Sequence, residues 1–333
     1  MKCSAFRLVL GFTGLAAFLT VVSNLRQLQA HREDWPNGPD ALDETPEEVL
    51  TAPTTRLDRS GEARAPETWI ILLAFQRSGT HWLTQELSRH PCIYVAGEIL
   101  LAPGLKEDWW SPQKRRAGIK TFYNISLTPE EATLELPAVS GQWATEAAKA
   151  LAAGKFIRGF NWKVSQGFLQ DLPWIKSFIA GHKVKLIWLQ RHNMLRRYLS
   201  MMSNRRFLVA ATTDQSEAKR IKKEKVPIPV PKLLKDLKAR EEEVKELQLF
   251  FKELKGDGHE VLQVVYEELA DRMDQIRGWT VKDTGCSVAG ETATESEPGY
   301  QKLHPGNISD MVENWKEVVA ALKKTKWEWM LNS

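Results

Sequence analysis

An uninterrupted apolar run at residues 69–75 is the feature that most constrains how this chain can fold. The run ends in a polar turn at residues 76–80, and Leu83 and Leu87 then follow at helical spacing. A short apolar run bounded by turn residues is typical of a strand that is buried on both faces of a parallel sheet. The stretch therefore predicts a strand, a glycine-containing turn and a helix, in that order.

The turn has the composition of an anion-binding site. A turn that contains glycine and leads from a strand into a helix directs backbone N–H groups and the positive end of the helix dipole at one point. Arg77 adds a cation to this turn, and Ser78 and Thr80 add hydroxyl donors. Phosphate is the usual ligand of such an arrangement.

Strand and helix patterns alternate along the rest of the chain. Further strands are predicted at these positions: 93–98, 156–164, 183–190 and 261–266. Helical patterns are predicted at these positions: 80–90, 129–153, 169–180 and 194–207. This alternation predicts the α/β class with a central parallel sheet.

Other segments carry weaker patterns. We expect residues 101–150 to be irregular apart from the helix that begins at Pro129, and the basic run at residues 114–116 to form a solvated face. We expect residues 214–257 to form a helical excursion, which packs against the domain and is not a domain of its own. We expect residues 283–300 to form a mobile loop. A last helix is expected to carry Met311, Trp315, Val318 and Leu322 on one face, with Asn307 or Ser309 as its cap.

The N-terminal region predicts a membrane anchor and a stem. Residues 8–25 contain no charge and are mostly apolar, which is close to the minimum length for a membrane-spanning helix. Residues 1–7 then form a short cytosolic tail, and the polar, proline-containing residues 26–67 form a flexible stem ahead of a domain at 68–333. A cleaved signal peptide that ends near Ala30 and a plastid transit peptide are the alternatives.

The cysteines and the N-glycosylation sequons are relevant to the cellular compartment in which the protein folds. Cys92 and Cys286 either pair in an oxidising lumen or remain two buried thiols, and Cys3 lies beside the predicted membrane segment. Asn124 and Asn307 begin sequons for N-glycosylation. The net charge of +4 is too small to indicate wholesale nucleic-acid binding, so no nucleic-acid partner is expected.

Two phosphate-binding elements resemble those of a known family. The turn lacks the Gly-Lys pair of the Walker A loop, and Gln190 and Arg191 end the third long strand where a magnesium-binding carboxylate is expected. Instead, the turn resembles the 5′-phosphosulfate loop of sulfotransferases that use 3′-phosphoadenosine 5′-phosphosulfate (PAPS). The strand that ends at Arg191, with Ser200 nine residues later, resembles their 3′-phosphate element, in which the usual spacing is eight.

The resemblance covers most of residues 69–331 and implies a P-loop-like three-layer sandwich. It also implies a set of donor-binding residues, namely Arg77, Ser78, Gly79, Thr80, His81, Trp82, Arg191, Ser200 and Lys302. Arg196 or Arg197 are further candidates for the 3′-phosphate, and His304 is a candidate to close over the nucleotide. No metal is expected, because cationic side chains would neutralise the phosphates.

The resemblance also implies the catalytic residues. Arg77 would stabilise the departing oxygen, and either Glu98 or His81 would act as the general base. Lys163 resembles a basic position that contacts the sulfonate.

The expected function is PAPS-dependent sulfonate transfer to a carbohydrate hydroxyl by a single-pass type II protein of the Golgi membrane, whose catalytic domain is luminal and glycosylated. A tyrosyl-protein acceptor is less favoured. The alternatives are a nucleotide-dependent kinase with a degenerate phosphate loop and a catalytically silent binding protein of the same fold.

Overall fold

The computed structural model describes residues 67–101, 111–136, 138–207, 214–287 and 306–332. Within these residues, no helix combines the length and the apolar character needed to cross a bilayer. The predicted span at residues 8–25 lies outside the described residues, as does the predicted stem except for Glu67. The predicted site residues Lys302 and His304 also lie outside them.

Five parallel strands form the central sheet, as the alternating pattern predicts. They are β1 (Thr68–Ala74), β2 (Ile93–Ala96), β3 (Ile157–Lys163), β4 (Lys185–Gln190) and β5 (Val261–Val265). Their order across the sheet is β2-β3-β1-β4-β5, so β1 lies at the centre. Ile70 pairs with Gly159 on one side and with Lys185 on the other, which fixes the register of β1.

Helices cover both faces of this sheet. The helices up to β4 are α1 (Thr80–Ser88), α2 (Pro112–Phe122), α3 (Pro129–Ala132), α4 (Ala138–Ala152) and α5 (Leu172–His182). The later helices are α6 (Met194–Phe207), α7 (Gln215–Lys223), α8 (Val230–Gly256), α9 (Met273–Val281), α10 (Ile308–Met311) and α11 (Trp315–Leu322). The expected α/β sandwich of three layers is therefore present.

Residues of β1 alternate between two hydrophobic cores. Ile71 and Leu73 are buried against α2, α5 and the C-terminal half of α8. Ile70 and Leu72 are buried on the opposite face, against α1 and α9. A strand that is apolar on both faces has no position for a polar side chain, which explains the unbroken run in the sequence.

Two helical predictions are wrong in their extent. The single helix predicted at residues 129–153 is divided into α3 and α4, and the proline at position 137 cannot continue a helix because it lacks a backbone N–H. The predicted last helix is divided into α10 and α11, and Asn307 makes no side-chain cap hydrogen bond. The helical excursion at 214–257 is present as α7 and α8, whose apolar faces are packed.

The region predicted to be irregular contains α2, which begins with Ser111 as its cap and Pro112 in its first turn. This helix also corrects the interpretation of the basic run as a solvated face. Arg115 is only 4% exposed, and Arg116 makes two hydrogen bonds to the buried carboxylate of Asp171. The run therefore attaches α2 to the start of α5. Helix α9 was not predicted from the sequence either.

Cys92 and Cys286 form a disulfide, which decides between the two alternatives that the sequence left open. The bond joins the segment before β2 to the segment after α9, 194 residues later in the chain. Beside it, the ring of His90 hydrogen-bonds to the Ser287 carbonyl oxygen at 3.0 Å. The disulfide and this hydrogen bond thus hold Ser287, the residue before the 288–305 segment, against the core.

Replacing Cys92 and Cys286 together by serine should lower the free energy of unfolding by about 2–4 kcal/mol, because the bond closes a long loop in the unfolded chain. Urea denaturation of both proteins measures this difference. Dithiothreitol should bring the wild type to the stability of the double variant and leave the double variant unchanged. A wild type that is insensitive to reduction would contradict the predicted contribution.

Candidate active site

The carboxyl ends of all five strands lie at one edge of the sheet, because the strands are parallel. The turn at residues 76–79 follows β1, Glu98 follows β2, Lys163 ends β3 and Arg191 follows β4. The chain moves from β1 to one side of the sheet and later to the other, which creates a crevice beside the carboxyl end of β1. Most of the predicted residues therefore meet at this edge.

The turn after β1 has an unusual backbone. Arg77 has a φ of 66° and Gly79 a φ of 86°, both in the left-handed region. Gly79 immediately precedes α1, whose first turn contains no acidic residue. The aromatic ring of Tyr266 lies so close to Gly79 that a Cβ there would overlap it. The glycine is thus required both by its backbone conformation and by the close approach of Tyr266.

Ser78 is fully buried in this turn. Its hydroxyl has no hydrogen-bond partner within the part of the chain that the structure describes. A buried hydroxyl without a partner costs free energy, and such groups in native structures call for an explanation. An anion held by the turn would supply the missing acceptor, so the residues present fit a bound phosphate group.

The two predicted phosphate elements are in direct contact. Arg77 Nε donates a hydrogen bond to Ser200 Oγ on α6 at 3.0 Å. Arg191 Nη1 donates to the Arg77 carbonyl oxygen at 3.2 Å, and its guanidinium group lies 4.6 Å from the centre of the Tyr266 ring. Ser200 thus lies next to the loop, although it follows Arg191 by nine residues and not by the usual eight.

Both arginines are partly buried. Burial, and then the charge of Arg191, lower the pKa of Arg77, and burial likewise lowers the pKa of Arg191. Arg191 Nε is buried and has no hydrogen-bond partner among the described residues. Two partly buried cations in contact through the turn favour an anion with more than one negative charge.

The neighbouring arginines, both candidates for the 3′-phosphate, have different positions. Arg197 Nε donates to the Gln76 carbonyl oxygen at 3.0 Å, so it supports the turn from behind. Arg196 Nη2 donates to the Gly306 carbonyl oxygen at 2.9 Å. The carboxylate of Glu267 accepts hydrogen bonds from the backbone N–H groups of His192 and Asn193, which fixes the start of α6.

Lys163 is a buried cation at the centre of the site. Its Nζ donates to Thr80 Oγ1 and, at 3.2 Å, to Asn161 Oδ1, and it lies 3.5 Å from Glu98 Oε1. Burial lowers the pKa of Lys163 to about 8, and the Glu98 carboxylate opposes that shift. The lysine therefore connects the first residue of α1 to the carboxylate that follows β2.

Gln166 orients the Glu98 carboxylate and was missed in the sequence. Its Nε2 donates to Glu98 Oε2 at 2.9 Å, and its Oε1 accepts from the Lys163 backbone N–H at 3.0 Å. The side chain is 3% exposed. No spacing rule marks this residue, because its role arises from a short helical turn after β3 that brings it under a loop 68 residues away.

His81 and Trp82 lie at the start of α1 but differ in their surroundings. Desolvation of the ring, together with the charges of Lys163 and Arg77, lowers the pKa of His81 to about 4, although the residue as a whole is exposed. The two neighbouring cations act in the same direction, so the imidazole is neutral near pH 7. Trp82 packs against the core beneath α1.

No group of three or more His, Cys, Asp or Glu side chains suited to a metal ion occurs in the described ranges. The absence of a metal requirement remains an expectation from the sequence.

Comparison with known proteins gives only distant structural similarity. No protein-family model matches the chain, and no curated protein matches it. The fold is similar to the sulfotransferase domain of the Synechococcus PCC 7002 olefin synthase, with 16% identity, a TM-score of 0.34, and 83% of this chain and 91% of that one covered. It is also similar to the mouse sulfotransferase SULT7A1 complexed with PAP, with 14% identity, a TM-score of 0.37, and 80% and 88% covered. Similarity at this level does not establish a family, so the functional assignment rests on the site itself.

Replacing Gly79 by alanine should destabilise the protein more than the same change at Gly258. Both glycines have a left-handed φ, but only Gly79 is against another side chain, whereas a Cβ at Gly258 meets nothing within 4 Å. We expect the free energy of unfolding to fall by about 1 kcal/mol in Gly258→Ala, from the backbone strain alone, and by more in Gly79→Ala. Urea denaturation of the two variants measures the difference, and equal losses would mean that Tyr266 moves aside without cost.

Proposed function

We propose that this protein is a PAPS-dependent sulfotransferase that transfers a sulfonate group to a hydroxyl of a carbohydrate. The observation that carries the proposal is the contact of Arg77 with both Ser200 and Arg191. It brings a phosphate loop at the end of β1 next to a second cationic element at the end of β4. Adjacent but separate cationic elements suit a nucleotide with phosphates at two positions of its ribose.

The residues of the loop would hold the 5′ side of the donor. Ser78 has an unsatisfied hydroxyl, and the first turn of α1 offers backbone N–H groups. Arg191 and Ser200 would hold the 3′-phosphate. The donor supplies an activated sulfonate, and the protein contributes position and positive charge, as in phosphoryl transfer.

Lys163 and Arg77 are the cations nearest to the expected reaction centre. Lys163 contacts Thr80 in the loop and Glu98 across the site, so it places positive charge between the donor loop and the carboxylate. Negative charge develops on the departing oxygen during in-line transfer, and fixed cations in a water-poor site stabilise it. Arg77 and Lys163 would perform this task.

Glu98 is our choice for the general base that accepts the proton of the acceptor hydroxyl. Gln166 and Lys163 hold its two carboxylate oxygens, so the group is oriented before the acceptor binds. His81 is the second candidate, because its imidazole is neutral near pH 7.

Several observations support a location in the secretory pathway. The Cys92–Cys286 disulfide is the kind of bond that persists in oxidising compartments. The sequon residues Asn124 and Asn307 are both exposed, as glycosylation requires. We propose that residues 8–25 anchor the chain in the Golgi membrane and that the domain described here is luminal and acts on glycans.

Binding to immobilised adenosine 3′,5′-bisphosphate without Mg²⁺ tests the donor assignment. The wild type should be retained, and Arg191→Ala should bind about 10- to 100-fold more weakly, because a charged hydrogen bond of about 1.5–3 kcal/mol is lost. Arg89→Ala, at the opposite end of α1, is the matched control and should bind like the wild type. Retention only on ATP in the presence of Mg²⁺ would instead support a kinase.

The proposed role of Lys163 predicts an alkaline limit to activity. Below its pKa of about 8 the lysine is charged, and it loses its proton as the pH rises through that value. We therefore expect kcat/KM for sulfonate transfer to fall about tenfold per pH unit above pH 8, since this quantity reports ionisations of the free enzyme. In Lys163→Arg the limit should move to higher pH, and an unchanged profile would exclude Lys163 as its origin.

A further inference from the structure

A second cationic pocket lies between α6 and α8, beside the proposed donor site. It has a volume of about 160 Å³. Four cationic side chains and one carboxylate line it, together with Tyr198, two methionines and a leucine. We call it the α6–α8 pocket. Its charged lining residues are Arg197, Arg205, Lys232, Asp236 and Arg240.

Positive charge exceeds negative charge around this pocket. Lys232 lies 3.8 Å from Asp236, and Arg240 pairs with Glu243, so two of the four cations are balanced. Arg197 donates to a backbone carbonyl oxygen, and Arg205 is exposed. Four positive and two negative charges leave an excess of two positive charges, which favours an anionic ligand.

Tyr198 provides a second, independent indication. The side chain is only 5% exposed, and its hydroxyl has no hydrogen-bond partner among the described residues. Burial, followed by the charge of Asp236, raises the pKa of Tyr198, so the hydroxyl keeps its proton and can donate it. A solvated charged surface does not explain a buried hydroxyl that has no partner, whereas an oxyanion in the pocket would accept its hydrogen bond.

The pocket shares a wall with the phosphate loop. Arg197 lines the pocket and donates to the Gln76 carbonyl oxygen, next to Arg77. The guanidinium groups of Arg197 and Arg240 lie 5.1 and 5.7 Å from the centre of the Phe75 ring. The pocket is therefore adjacent to the loop that would hold the donor.

We propose that the α6–α8 pocket binds a carboxylate or sulfate group of the acceptor, so that the acceptor is an acidic glycan. This inference rests on the proposed sulfonate transfer for its biological meaning, but the anion site itself does not. Arg205 supplies charge from α6, Lys232 supplies a cation from α8 that an anion would share with Asp236, and the Tyr198 hydroxyl supplies a hydrogen-bond donor.

Titration with inorganic sulfate tests the anion site alone. Isothermal titration calorimetry is performed with adenosine 3′,5′-bisphosphate present, so that the donor site is occupied. Sulfate affinity should fall about tenfold in Arg205→Gln/Lys232→Gln. It should stay within about twofold of the wild type in Lys219→Gln/Lys235→Gln, a pair of exposed lysines outside the pocket.

The variant Tyr198→Phe keeps the packed ring and removes only the hydroxyl, so it should weaken sulfate binding severalfold. Equal affinities in the wild type and in Arg205→Gln/Lys232→Gln would overturn the proposed site. So would an equal loss in both charge-matched pairs, because binding would then depend on net charge alone.

Measurements of turnover show whether the pocket binds a group of the acceptor or only a free anion. An acidic oligosaccharide and its carboxyl-reduced neutral counterpart are compared as acceptors. We expect kcat/KM to be at least about tenfold higher for the acidic acceptor, and this preference to fall towards one in Arg205→Gln/Lys232→Gln with the KM for the donor unchanged. A wild type without the preference, or a variant that retains it, would overturn the acceptor assignment.

Failure of the proposed function would have a different signature. No acceptor of either kind would then be sulfated, and the wild type would not bind the bisphosphate resin. The sulfate titration would still decide whether the pocket binds anions.

Discussion

Positive charge held out of water at one edge of the sheet is the physical constraint on which the site depends. Arg77, Lys163, Arg191 and Arg197 all have a pKa that burial lowers. Removing cations from water costs free energy unless they are paired or hydrogen-bonded. Glu98 compensates Lys163 in part, and backbone carbonyl oxygens of the turn satisfy one nitrogen each of Arg191 and Arg197.

The packing of the sheet below the site offsets the remaining free-energy cost of burying these cations. Every residue of β3 is buried, and β1 is buried from Ile70 onward. The buried Tyr123 hydroxyl donates to the Ile70 carbonyl oxygen at 2.6 Å, and Gly159 on β3 leaves no room for a side chain against Ile70. A rigid sheet fixes the strand ends, so the cations cannot separate to relieve their repulsion. An anionic substrate would relieve it, and that is the electrostatic logic of the proposed donor site.

The two proposed anion sites share one structural element. Helix α6 carries Ser200, which contacts Arg77, and also Tyr198 and Arg197, which line the α6–α8 pocket. Successive residues of a helix point in different directions, so one helix can serve two neighbouring sites. Glu267 fixes the start of this helix, and Asn193 Nδ2 donates to the Met330 carbonyl oxygen at 3.0 Å. The C-terminal segment thus helps to fix the start of α6.

The sequence by itself determined the central strand, the turn after it and the parallel α/β class. An apolar run must be buried on both faces, and a glycine-containing turn before a helix is a local feature. It also pointed to Arg77 and Arg191, because each follows a strand whose pattern is visible, whereas Glu98 and Lys163 were predicted from the resemblance to sulfotransferases. The sequence did not predict the helix boundaries near Pro137 or the helices α2 and α9. Their short apolar patterns do not stand out from the surrounding polar residues.

Only the tertiary structure decided which distant groups meet. The disulfide between Cys92 and Cys286, the Gln166 contact with Glu98 and the approach of Tyr266 to Gly79 each join segments that are far apart in the chain. The same holds for Arg115, whose burial beside Gly167 and Asp171 reversed the expectation of a solvated face. Sequence patterns report which residues must be buried and where the chain turns, but side-chain partners depend on how the layers are packed against one another.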